Sequence, residues 1–239
     1  MSGRSVRSRQ RGWLLLIFAT AAACTPPNFT TLTIYESPRA FVRLEVDRTL
    51  MEGTKHSHPA NLSPEHMAAI LRGVIVEEPV TRLPLYDDFG QQRRHPALTE
   101  REVSFFAPLL ALALSKASPD EIITFYETET LSGAFSGGGR EVTSGGLFLQ
   151  GEDLHLILVN YRSTTHYSAD MGVADTDDDR LVPLRAIAPQ RGRLDFEPRS
   201  AKREEIATVW DKLVAPDKRE IIVRYQSLQI PPGPSSVKP

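Results

Sequence analysis

The acidic run Asp175-Thr176-Asp177-Asp178-Asp179 places several carboxylates within five positions, the donor type that hard cations such as calcium prefer. An EF-hand starting at Asp175 needs Gly at its sixth place and Glu at its twelfth. Arg180 and Ala186 stand there, so the turn and the bidentate ligand of that family are missing. A calcium site of another kind, using Asp175, Asp177 and Asp179 with help from Asp170, remains one reading, and a solvated acidic turn is the other. His56-x-His58 sets two imidazoles on one side of an extended backbone, the start of a zinc or copper site. The remaining histidines, 66, 95, 155 and 166, are too scattered to supply its other ligands, and a polar loop ahead of a helix explains the pair as well.

Residues 132–146 hold six glycines in fifteen positions, including Gly137-Gly138-Gly139 followed by Arg140. Backbone amides in such a stretch can cradle an anion. The usual Lys and Ser/Thr are absent and no helix opens there, so a flexible loop that a partner orders is the better expectation for Gly137, Gly138, Gly139 and Arg140. The acid pairs Glu77-Glu78 and Asp87-Asp88 point opposite ways if extended, which argues against a general acid and base. His155 alternates with Ile157 and Val159 and reads as a satisfied core histidine, and Trp210 lies on an apolar helical stripe. The sequence carries no G-x-S-x-G elbow, Walker loop, H-E-x-x-H or dinucleotide fingerprint, and no catalytic residue is assigned.

The N-terminus carries a different kind of chemistry. Arg4, Arg7, Arg9 and Arg11 precede an apolar run from Trp13 to Ala23, the charged and apolar regions of an export signal. The run is too short to span ~30 Å of hydrocarbon, and Cys24-Thr25-Pro26-Pro27 breaks it. Ala21-Ala22-Ala23-Cys24 resembles the lipobox of bacterial lipoproteins, with Ala21 where the family most often has Leu. The resemblance implies cleavage after Ala23, acylation of Cys24, and attachment to the outer membrane facing the periplasm, since Thr25 rather than Asp follows the cysteine. An ordinary A-x-A cleavage site is the alternative. Cys24 is the chain's single cysteine, consistent with an attachment point rather than a disulfide.

Removing residues 1–23 takes away four arginines and no acid, so the 28 basic residues fall to 24 against 30 acidic ones. That balance argues against a nucleic-acid partner, which requires clustered cations. No basic amphipathic helix appears, so the lipid is the only membrane contact the sequence indicates. The Pro- and Ser-rich stretch 230–239 reads as a disordered tail. One domain is expected over residues 34–229, after a lipidated tether at 24–33.

Within it, Val42, Leu44 and Val46 alternate with Arg43, Glu45 and Asp47, a half-buried strand. Ser63-Pro64 opens a helix with Met67, Ile70, Leu71 and Val74 on one stripe. Thr99-x-x-Glu102 is a capping box, and the apolar run from Val103 to Leu114 predicts a helix buried on most sides and disturbed at Pro108. Strands are expected at 121–128, 146–150, 154–161, 191–197 and 221–228, and a third helix from Ser200 carrying Ile206, Val209, Trp210, Leu213 and Val214. The pattern predicts an α+β fold: a mainly antiparallel sheet with about three helices, or else a β-sandwich decorated by helices. The expected function is a lipid-anchored, non-enzymatic binding or assembly module contacting another envelope protein. A calcium- or metal-dependent binding module and a lipid-anchored hydrolase of unrecognised type are the alternatives.

Overall fold

The computed structural model describes residues 29–78, 94–131, 139–165, 179–188, 192–203 and 219–228. Among them are nine strands, β1 (Thr30–Glu36), β2 (Ala40–Val46), β3 (Val74–Glu77), β4 (Arg94–Pro96), β5 (Glu121–Thr130), β6 (Arg140–Gln150), β7 (Asp153–Thr165), β8 (Arg193–Phe196) and β9 (Glu220–Val223). Two helices join them, α1 (Pro64–Gly73) and α2 (Glu100–Lys116). Six strands form one sheet in the order β1-β2-β5-β6-β7-β9, and β4-β3-β8 form a second, with every pairing antiparallel. The fold is α+β and mainly antiparallel, as the sequence pattern predicts.

Alternation along the strands decides where the core sits. Val42, Leu44, Ile123, Phe125, Leu147, Leu149, Leu154, Leu156 and Leu158 all face one side of the large sheet. There they meet Met67, Ile70 and Leu71 of α1, Phe106, Leu110 and Leu114 of α2, and Val74 and Val76 of β3. The opposite face carries a smaller cluster of Phe41, Tyr126 and Val142, with Ile187 against it. Residues 179–188 cover that face: the Ser144 hydroxyl donates to the Pro183 carbonyl (2.7 Å), Asn160 Nδ2 donates to the Arg185 carbonyl (2.8 Å), and the Ile187 amide donates to Asn160 Oδ1 (3.0 Å). Covering both faces explains the two-sided apolarity of β7, an interior strand between β6 and β9.

Both helix starts obey their local signals. Ser63 caps α1 through the His66 amide, and Thr99 and Glu102 form the reciprocal capping box of α2. The last residue of α1, Gly73, has no room for a side chain: a Cβ there would lie 2.5 Å from the Glu197 carbonyl oxygen and from the Phe196 ring. The β6–β7 hairpin turns at Gly151, whose φ of 64° suits glycine.

Several expectations are corrected. Residues 30–33, read as the end of a tether, belong to β1, because their backbone completes the ladder along β2. Helix α2 is buried on most sides, as expected: lying between α1 and the sheet it buries Val103, Phe106, Ala107, Leu110, Ala111, Ala113 and Leu114. What the apolar composition did not indicate is the one exposed line of Arg101, Ser104, Pro108 and Leu112. Pro108 leaves the helix continuous from Glu100 to Lys116. The carbonyl it strands is that of exposed Ser104, which water can serve. Glu45, expected on a solvated face, is 2% exposed and accepts from the Thr124 hydroxyl at 2.9 Å, because β2 is interior and its outer face is covered. The last strand stops at Val223, where a 3₁₀ turn at Tyr225–Ser227 takes over. The expected third helix begins instead as a 3₁₀ turn at Arg199–Ala201, after which Lys202 bridges to Val223. Its apolar positions, Ile206 to Val214 and Trp210 among them, lie outside the described residues. So α1 and α2 are the α-helices among the described residues, against about three expected. The small sheet built on β3 and β4 was not anticipated.

Candidate functional site

The first turn of α2, the far half of β5, the start of β6 and the end of β7 meet around a cleft of about 270 Å³. Its lining is Thr99, Arg101, Glu102, Glu127, Glu129, Glu141, Thr143 and Arg162, four carboxylates against two guanidinium groups. Strand register makes the acids converge. Glu127 stands opposite Thr143 and Glu129 opposite Glu141, so each pair shares one face, and the second sets like charges side by side.

Glu102 is the strut of the cleft. It is 3% exposed, its Oε2 accepts from the Thr99 amide (2.7 Å) and hydroxyl (2.8 Å), and its Oε1 accepts from the Thr143 hydroxyl (2.8 Å). The capping residue of α2 is thereby tied to β6. Arg101 crosses from α2 to Glu127 (2.5 Å) and Glu129 (3.1 Å). Burial pushes the Glu127 carboxyl above the usual carboxylate range, and the hydrogen bond from Arg101 only partly opposes this. The second oxygen of Glu127, Oε2, is buried with no hydrogen-bond partner. Arg162 sits on the opposite wall in a bulge, where the register passes from Val142↔Ser163 to Ser144↔Asn160. It holds a φ of 43°, a strained conformation for a residue with a side chain. Among the described residues, neither Arg162 nor Glu141 has a side-chain ion-pair partner. The cleft is therefore charged, partly unsatisfied and held by rigid elements.

The residues singled out in the sequence fall elsewhere. Cys24, Gly137, Gly138, Asp170, Asp175 and Asp177 lie outside the described residues. Gly139 is buried at the neck of the β5–β6 connection, its carbonyl accepting from the Leu131 amide at 3.0 Å. Arg140 and Asp179, candidates for two different sites, are brought together: Arg140 Nη2 lies 3.0 Å from Asp179 Oδ2, and the Tyr126 hydroxyl donates to the same oxygen at 3.1 Å. That oxygen is thus already occupied by a cation and a donor, in a carboxylate only 6% exposed. Burial and the neighbouring Asp179 charge push the Tyr126 hydroxyl up to about 12.

His56 and His58 are both buried rather than presented on a polar loop. Their ring centroids are 5.4 Å apart at 63°, an edge contact. His56 Nε2 lies 2.9 Å from Asp47 Oδ2, while neither ring nitrogen of His58 has a partner. Burial, reinforced by repulsion from His56, lowers the pKa of His58 to about 4. Among the described residues, no group of three or more His, Cys, Asp or Glu is placed to hold a metal ion. His155 is nine-tenths buried, stacked on Phe148 and bonded through Nδ1 to Glu220. Glu77 pairs with Arg94 across the small sheet, whereas Glu78 accepts from the Tyr161 hydroxyl (3.2 Å). Asp87 and Asp88 lie outside the described residues.

The cleft itself was missed. Its one sequence signal is Glu127-x-Glu129, two acids on the same face of a strand at the end where apolar residues stop. The fold and the site together define an α+β domain whose antiparallel sheet and central helix carry an acidic cleft. No protein-family model, curated protein or solved structure matches the chain.

Proposed function

We propose that this chain is a lipid-anchored protein of the cell envelope, held through acylated Cys24 at the outer membrane and facing the periplasm. In this reading it is a binding module for another envelope protein. The cleft takes a cationic segment of that partner, a lysine or arginine side chain entering from an exposed backbone. The observation that carries the reading is the buried Glu127 oxygen without a donor, in a cleft where Glu129 and Glu141 already oppose each other. A buried acceptor left without a donor costs ~1–3 kcal/mol, and an entering ammonium or guanidinium group both supplies the donor and relieves the like-charge pair.

The test uses the purified protein with a short lysine-rich peptide and its glutamate counterpart at low ionic strength. The lysine peptide binds, and E127Q combined with E141Q weakens it roughly tenfold, the loss expected for ~1.4 kcal/mol of paired charge. Photocrosslinkers at positions 129 and 141 then capture basic segments in cells, whereas one at exposed Leu181 does not. Equal binding of the two peptides, or an unaffected double variant, overturns the reading. Mass spectrometry of the mature N-terminus tests the anchor separately, since an unmodified thiol at Cys24 removes it.

A further inference from the structure

From Asp47 the chain makes a short excursion and returns at His56, and this excursion is unusually well braced for an exposed tip. Asp47 bridges its two legs: Oδ1 accepts from the Thr49 amide (2.8 Å) and hydroxyl (2.6 Å), and Oδ2 meets His56 Nε2 (2.9 Å). Burial opposes ionisation of Asp47, but the hydrogen bonds from His56 and Thr49 outweigh it and hold its carboxyl below the ordinary value. Across the turn, the amide and hydroxyl of Thr54 both donate to the Met51 carbonyl (2.9 and 2.6 Å), and Gly53 takes a φ of 87°.

The fixed tip presents Met51 at 76% exposure, with half-buried Leu50 beside it and exposed Arg48 and Lys55 on its flanks; Glu52 is its one acid. Phe29, at 66%, sits at the same end of the sheet, because its carbonyl accepts from the Val46 amide (3.0 Å) just before Asp47. Met51 and Phe29 are the two most exposed large apolar side chains among the described residues. This is also the end at which the chain arrives from Cys24. From Cys24 to Thr30, where β1 begins, the backbone can span at most about 20 Å.

From this placement we infer that the Arg48–Lys55 tip and Phe29 form a second membrane contact, seated in the interfacial layer of the leaflet that holds the anchor. The inference rests on the acylation of Cys24 set out above. An anchor on so short a leash keeps this end of the domain within about 20 Å of the bilayer. Met51, Leu50 and Phe29 then enter the headgroup and acyl boundary while Arg48 and Lys55 remain among the anionic headgroups, an arrangement of apolar points ringed by cations that interfacial segments share. The Asp47–His56 brace removes the ordering cost that a mobile loop would meet on insertion.

With Cys24 blocked by acylation, a cysteine introduced elsewhere is the only free thiol in the processed chain. The acylated full chain, as M51C, F29C, L112C or L181C, is labelled with an environment-sensitive fluorophore. It is then reconstituted into vesicles of phosphatidylethanolamine and phosphatidylglycerol. Labels at 51 and 29 brighten several-fold, shift to the blue and are quenched by brominated lipid, whereas those at 112 and 181 behave as in water. Protein that floats with the vesicles while the labels at 51 and 29 stay water-exposed overturns the second contact and leaves the anchor standing. Protein that fails to float overturns the anchor and the contact together.

Discussion

Substitution of Glu102 probes the point at which helix capping, sheet packing and the cleft depend on one carboxylate. In E102A, three donors lose their acceptor: the Thr99 amide, the Thr99 hydroxyl and the Thr143 hydroxyl. Thr99 is exposed, so water replaces the carboxylate there and the loss is that of a capping box, ~1 kcal/mol. Thr143 is 4% exposed, so its hydroxyl is stranded at a cost of ~1–3 kcal/mol. The expected total is ~2–4 kcal/mol. E102Q keeps the shape and can turn its amide oxygen to Thr99 and its amine to Thr143, so it loses only ~1 kcal/mol. Urea denaturation at pH 7, analysed by linear extrapolation, reads both values, with the slope unchanged between variants. A double-mutant cycle isolates the stranded hydroxyl: in a T143V background E102A becomes less damaging by ~1 kcal/mol or more. A cost for E102A below ~1 kcal/mol, or one that is the same with and without Thr143, contradicts this role of Glu102.

Three further outcomes follow from the same structure. In R140A the nearly buried Asp179 carboxylate loses its cation and keeps, among the described residues, the hydrogen bond from the Tyr126 hydroxyl; the chain loses ~3 kcal/mol by denaturation, and D179N in the same chain restores part of it. G145A places a Cβ 2.1 Å from the Ile157 carbonyl oxygen and 2.8 Å from the Phe125 ring, so β6 cannot keep its register; a loss of ~3 kcal/mol shows as a lower Tm. His58 titrates near 4 in the fold against about 6.5 when unfolded, so between these pH values the unfolded chain binds more protons and stability falls as pH is lowered; H58F flattens that slope between pH 7 and pH 4, and an unchanged slope contradicts the assignment.

Signals confined to a few neighbouring residues were legible from the chain alone. The caps at Ser63 and Thr99, the hairpin around Gly151 and the core stripes of both helices follow from hydrogen bonds and periodicities that span less than two turns or one strand. Edges and faces were not. Whether residues 30–33 are tether or strand depends on β2 offering a ladder, and whether Glu45 is solvated depends on β2 lying between β1 and β5, where the Thr124 hydroxyl reaches its carboxylate. The run from Val103 to Leu114 looks uniformly apolar, yet only its placement between α1 and the sheet decides that Leu112 meets water.

By itself, the sequence determined the α+β pattern and the starts of α1 and α2, because each rests on local chemistry or composition. Tertiary structure alone decided the chemistry of individual side chains. It paired Arg140 with Asp179, buried His56 and His58, and gathered Arg101, Glu127, Glu141 and Arg162 around one cleft. The physical reason is that a carboxylate or an imidazole takes its charge, its partners and its solvation from groups tens of residues away. Chain spacing does not specify those distances, whereas sheet register does.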